Sequence, residues 1–164
     1  MLKRLALAAA LTLAPLSAFA QNATTPTAAI DGFHQALKLG DTAAAISLLA
    51  RDLVVYEFGV IDPTLEAYAF RHLPLDMDMA AATEWQLQER QVGGDGDSRW
   101  VVSTYRVTGF DAAGVALDYT VMESAFVVRT GGAFRIAHLH WSTDNAEFQA
   151  QAQSVRNAAP TTGN

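Results

Sequence analysis

The hydrophobic positions change their period part-way along the chain. Over residues 26–39, Ile30, Phe33, His34 and Leu37 recur at i, i+3, i+4 and i+7, which predicts one face of a helix. Gly40 follows as its stop, and Asp41 as the N-cap of a second, shorter helix over 42–50. The branched and aromatic run "DLVVYEFGV" predicts a strand over 52–60. Asp62 and Pro63 predict the start of a third helix, with Leu65, Tyr68, Ala69 and His72 as its apolar stripe and Pro74 as its end.

From residue 83 the period becomes two. In "TEWQLQERQV", Trp85 and Leu87 fall on one side and Glu84, Gln86, Gln88 and Arg90 on the other. Three more strands, "SRWVVSTYRVTG", "VALDYTVMESAFVVR" and "AFRIAHLHWS", are separated by the turn-forming "FDAAG" and "TGG", and "GGDGD" precedes the first of them. Such short connections predict an antiparallel meander. In the last strand, strict alternation places Phe134, Ile136, His138 and His140 on one face and Leu139 and Trp141 on the other. Glu123 shares a side with Arg129, which predicts a surface role for it.

Helices first and strands last define an α+β class: a curved antiparallel sheet wrapped around N-terminal helices. One helical layer covers one face of a sheet. The apolar groups on both faces of the last strands then predict a second cover, most simply another copy of the chain, and hence a homodimer.

Composition and the chain ends narrow the picture. Residues 1–20 combine Lys3 and Arg4, an apolar run, and Ala18-Phe19-Ala20, the pattern of a secretory signal peptide. Residues 21–25 read as a linker, 26–145 as the domain and 146–164 as a flexible tail. The expected location is secreted or periplasmic. Net charge is −6; without Lys3 and Arg4 the basic count drops from 11 to 9 against 17 acids, giving −8. So acidic a chain disfavours nucleic acid as a partner. No later segment predicts a membrane span. The absence of cysteine excludes a disulfide framework and thiolate metal ligation.

Three stretches, "FHQALKLGDTAAAISLLARDLVVYEFG", "LEAYAFRHLPLDM" and "VVRTGGAFRIAHLHWS", resemble the nuclear transport factor two-like superfamily. That is the curved α+β cone of ketosteroid isomerases, scytalone dehydratases and polyketide cyclases. The resemblance spans roughly residues 26–145 and is greatest to small stand-alone members, some of them exported. It implies a cone open at its wide end, with a cavity lined by the helices and the concave sheet. It transfers no catalytic residue, because no isomerase-type Asp pair and no dehydratase His–Asp motif is evident.

The candidate chemistry is histidine-centred. By periodicity His34, His72, His138 and His140 all face the interior, where an unbonded imidazole costs on the order of 1–3 kcal/mol. One reading is a metal site, zinc or copper, with His72, His138 and His140 as ligands, Glu57 as a carboxylate ligand or support, and Met77 and Met79 suited to copper(I). Another is an organic pocket with His34, Tyr56, Tyr68, Trp85 and His140 against the ligand and Phe58 also in the wall. In that pocket His72, Glu57 and His138 form an acid–base set for an isomerisation or a dehydration next to a carbonyl. The expected function is an exported module binding a small ligand or a metal, or alternatively a lyase or isomerase.

Overall fold

The computed structural model describes residues 23–111, 113–146 and 149. The signal-peptide expectation for 1–20 and nearly all of the tail expected over 146–164 lie outside the described residues.

The first helix, α1 (Pro26–Leu39), forms where the apolar stripe predicts it. Thr25 caps its N-terminus, and Gly40, left-handed at φ 66°, ends it by returning its N–H to Ala36 and Leu37. Asp41 caps α2 (Thr42–Ser47), accepting from the Ala44 N–H at 2.9 Å. This helix is shorter than expected because Leu49 already belongs to the sheet, opposite Ile136.

Strand β1 (Leu49–Glu57) turns through Phe58 and Gly59 into β2 (Val60–Asp62). Both turn residues have positive φ, 45° and 90°, as a two-residue primed turn requires. Asp62 is therefore not a helix cap. Thr64 caps α3 (Leu65–Arg71), and the Asp62 carboxylate instead receives Arg71 and His72. Nor does Pro74 end a helix. It sits in the first turn of α4 (Leu73–Ala82), where a missing N–H costs nothing.

Strands β3 (Thr83–Asp95), β4 (Ser98–Phe110), β5 (Ala116–Thr130) and β6 (Ala133–Thr143) form the expected meander. The six strands make one curved, unclosed sheet in the order β2-β1-β6-β5-β4-β3, with β1 and β6 parallel. The helices fill its concave side, and the α+β class is as expected.

Two single-residue bulges decide what faces inward. In β6 the pairing steps from Val127–Ile136 to Phe126–His138, so Ala137 is an extra residue. In β3 it steps from Leu87–Tyr105 to Glu89–Thr104, so Gln88 is extra. An extra residue reverses the alternation beyond it. Leu139 and Trp141 thus join Phe134 and Ile136 in the core, at 0% and 1% exposure, and His138 and His140 turn to the outer face. Arg90 likewise moves from the outer to the inner row. Leu139 and Trp141 need no second copy to cover them. The large apolar side chains exposed on the outer face include Tyr56, Trp100, Met122 and Phe126.

Candidate functional site

Between α1, α4 and the concave sheet lies a cavity of about 290 Å³. Aromatic rings form much of its wall. His34, carried by α1, stacks on Tyr105 at 5.1 Å between centroids and meets Trp85 and Trp141 edge-on at 5.3 and 6.2 Å. Flat walls of this kind suit a flat ligand.

One end of the cavity is a fully bonded polar chain. Glu123, wholly buried on β5, accepts from three side chains: His34 Nε2 at 2.6 Å, Trp141 Nε1 at 2.9 Å and the Tyr105 hydroxyl at 3.2 Å. Burial alone would raise its pKa, but the His34 charge and the hydrogen bonds from His34 and Trp141 outweigh that and hold the carboxyl below its ordinary value. Arg90 continues the chain. It donates to the Tyr105 oxygen at 2.7 Å, to Ser103 Oγ at 3.0 Å and to Asp31 at 2.7 Å. Lys38 stands at the rim, bonded to the Thr83 carbonyl and to Glu84.

The other end is acidic. Asp76 of α4 lines the cavity, is only 3% exposed, and accepts from the Tyr68 hydroxyl at 2.6 Å. Glu57, at the end of β1, stands next to it. Burial, then the Asp76 charge and hydrogen bond, push the Glu57 carboxyl well above its ordinary value. Burial raises Asp76 to about 6, against the lowering pull of hydrogen bonds from Tyr68 and Glu57. Burial also raises the Tyr68 hydroxyl. Glu57 Oε2 is buried with no hydrogen-bond partner. In this pair Glu57 holds a proton toward Asp76.

The four imidazoles expected to converge do not. His34 and Trp85 line the cavity, and Tyr68 lies behind it, bonded to Asp76. His72 is bound through Nδ1 to Asp62 on the inner side. His138, His140 and Tyr56 lie on the outer face, where Tyr56 and His138 meet edge-on at 5.4 Å. The reason is the bulge at Ala137. Glu57 and His138 therefore stand on opposite sides of the sheet, as do His72 and the His138–His140 pair. Phe58 packs partly buried against the core. Met79 lines the cavity, and Met77 accepts a hydrogen bond from Thr42. Among the described residues no group of three or more His, Asp or Glu is placed to hold a metal ion.

Asp31, Lys38, Asp76, Arg90, Tyr105 and Trp141 belong to the site without being legible as site residues in the sequence pattern. Glu123, whose side shared with Arg129 predicts the surface, is instead buried at 1% exposure. A signal for it existed, because Val121, Glu123, Ala125 and Val127 form one row and three of the four are apolar. Arg90 gave none, since the extra Gln88 is invisible in the alternation.

The curved α+β fold with its helices on the concave face of the sheet is that of the NTF2-like superfamily. Within that superfamily, residues 27–145 match the model of the SnoaL-like domain, and the chain belongs to this family. Similar solved structures include a candidate ketosteroid isomerase from Shewanella frigidimarina, 29% identical over 70% of this chain and 91% of that one, with a TM-score of 0.65. A candidate dehydratase of the NTF2-like family from Streptomyces avermitilis is 18% identical, covering 77% and 98% of the two chains at a TM-score of 0.65. An NTF2-like protein of unknown function from Pseudomonas putida is 22% identical over 74% and 86%, TM-score 0.60. A comparison with curated protein sequences gives no significant match. No helix among the described residues is long and apolar enough to cross a membrane.

Proposed function

We propose that the protein binds a small, flat, largely apolar carbonyl or hydroxyl compound in this cavity and moves a proton on it, as an isomerase or lyase. The observation that carries this reading is Asp76. It is a carboxyl at the cavity wall whose pKa of about 6 lets it give and take a proton near neutral pH. Glu57 supports it from behind as a buried second carboxyl, and His34, held by Glu123 through Nε2, lines the same space. Two neighbouring buried carboxyls cost stability, and a container with no chemistry has no need of them. The likeness to a candidate ketosteroid isomerase supports the same class.

The test uses cyclohex-3-en-1-one and 4-hydroxybutan-2-one as probes in D2O, with exchange next to the carbonyl followed by NMR. Wild-type protein is expected to accelerate exchange, isomerisation or water loss, and Asp76→Asn to lose on the order of 10²–10⁴-fold of that rate. Probes that quench Trp85 or Trp141 fluorescence without any accelerated exchange would leave a binding module instead. Export belongs to the same proposal, supported by Lys3, Arg4, the apolar run and Ala18-Phe19-Ala20. Cell fractionation tests it.

A further inference from the structure

The bulge that takes His138 and His140 out of the cavity places them together elsewhere. They are two residues apart on β6, beyond Ala137, with Leu139 between them pointing into the core. Side chains at i and i+2 of a strand leave the same face about 6–7 Å apart. That is within reach of one ion for two imidazoles.

His138 is also set for the task. Its Nδ1 lies 3.0 Å from the Val54 carbonyl oxygen. A carbonyl only accepts, so Nδ1 carries the hydrogen and Nε2 is left with the lone pair in the neutral ring. A backbone carbonyl fixing one ring nitrogen of a metal-ligating histidine is the usual outer support of such a ligand. The Tyr56 ring, edge-on at 5.4 Å, packs against the imidazole and limits its rotation. His140 is exposed, opposite Tyr56 on β1 and Ser124 on β5. Both histidines sit on β6, an interior strand of the six-stranded sheet bonded on both sides, so the backbone between them is rigid. The net charge of −6 raises the local concentration of cations.

We propose that His138 and His140 form an outer-face chelate for a divalent transition ion that prefers imidazole, copper(II) or zinc(II), with water at the remaining positions. This site is separate from the cavity and involves neither His34 nor His72.

The experiment is a titration of untagged protein with copper(II) sulfate in a non-coordinating buffer, read by electron paramagnetic resonance. One ion per chain with hyperfine splitting from two nitrogens is expected, displaced by excess zinc(II). His138→Ala and His140→Ala should each weaken binding at least about tenfold. His34→Ala and His72→Ala should leave it unchanged. His138 is half-buried and His140 exposed on the outer face, and circular dichroism verifies that the fold is kept in both variants. Absence of a bound ion at micromolar copper, or binding that survives the His138→Ala/His140→Ala double substitution, would overturn the proposal.

Discussion

His34 Nε2 and Glu123 Oε2 meet at 2.6 Å across 89 residues of sequence, on a carboxylate with no solvent exposure. This contact ties α1 to the middle of the sheet. Removing the carboxylate leaves the ring nitrogens of His34 and Trp141 and the Tyr105 hydroxyl without their acceptor. Glu123→Ala is therefore expected to destabilise the fold by about 3–5 kcal/mol, the range for one partner taken from a buried pair. Glu123→Gln keeps the shape and one acceptor and should lose less. Urea unfolding of the two variants measures both.

Asp76 and Glu123 give stability opposite dependences on pH. Asp76 keeps its proton in the fold up to about 6, whereas the unfolded chain releases it near the ordinary aspartate value. Between about pH 4 and 6 the native state holds more protons, so this group makes stability fall as pH rises, by on the order of 3 kcal/mol. Glu57 acts in the same direction. Glu123, held below its ordinary value, contributes stability that is present above that value and lost as pH falls through its folded pKa. Asp76→Asn retains an acceptor for Tyr68 and should flatten the descent between pH 4 and 6. A denaturation series across that window checks it, and an unchanged slope would remove Asp76 as its source.

Much of the fold was legible because its signals are local. The stripe of α1, the Gly40 stop, the Asp41 cap and the turns of the meander each need only a few adjacent residues. The site was legible only in fragments. His34 and Trp85 precede any irregularity in their elements, and both line the cavity. Arg90, His138 and His140 follow a bulge, and each faces opposite to its periodicity. A bulge is specified by pairing with the next strand and by the bend the helices impose, neither of which is written in the strand's own alternation. Asp76 was hidden for another reason. With Pro74 read as a terminator, no helix was available to aim it inward.

Gly109 governs how α4 hands over to β3. Its φ is 153°, and a Cβ there would stand 2.5 Å from the Ala82 carbonyl oxygen and 2.9 Å from the Thr83 Cα. Both are backbone atoms and cannot swing away. Thr83 in turn bonds Trp85 Nε1 at 3.1 Å and, through its carbonyl, Lys38 at 2.8 Å. Gly109→Ala is expected to destabilise the protein by on the order of 2 kcal/mol and to shift the emission of Trp85 as the cavity rim moves. Thermal unfolding and tryptophan fluorescence read the two effects. A variant with wild-type melting and emission would show that the strands separate there at no cost.

The bulge at Ala137 can be tested by adjacent substitutions. Regular alternation would put Leu139 outside and His138 inside. The structure has Leu139 at 0% exposure among core residues and His138 on the outer face. Leu139→Ala should therefore cost about 2–5 kcal/mol, as deletion of a buried leucine side chain does. His138→Ala loses one hydrogen bond to the Val54 carbonyl and a ring contact with Tyr56, which together should cost about 1 kcal/mol. Alternation without the bulge predicts the reverse order. Urea midpoints of the two variants, taken at one pH, decide between the registers. A larger loss at His138 than at Leu139 would return the imidazoles to the interior and reopen their convergence on the cavity.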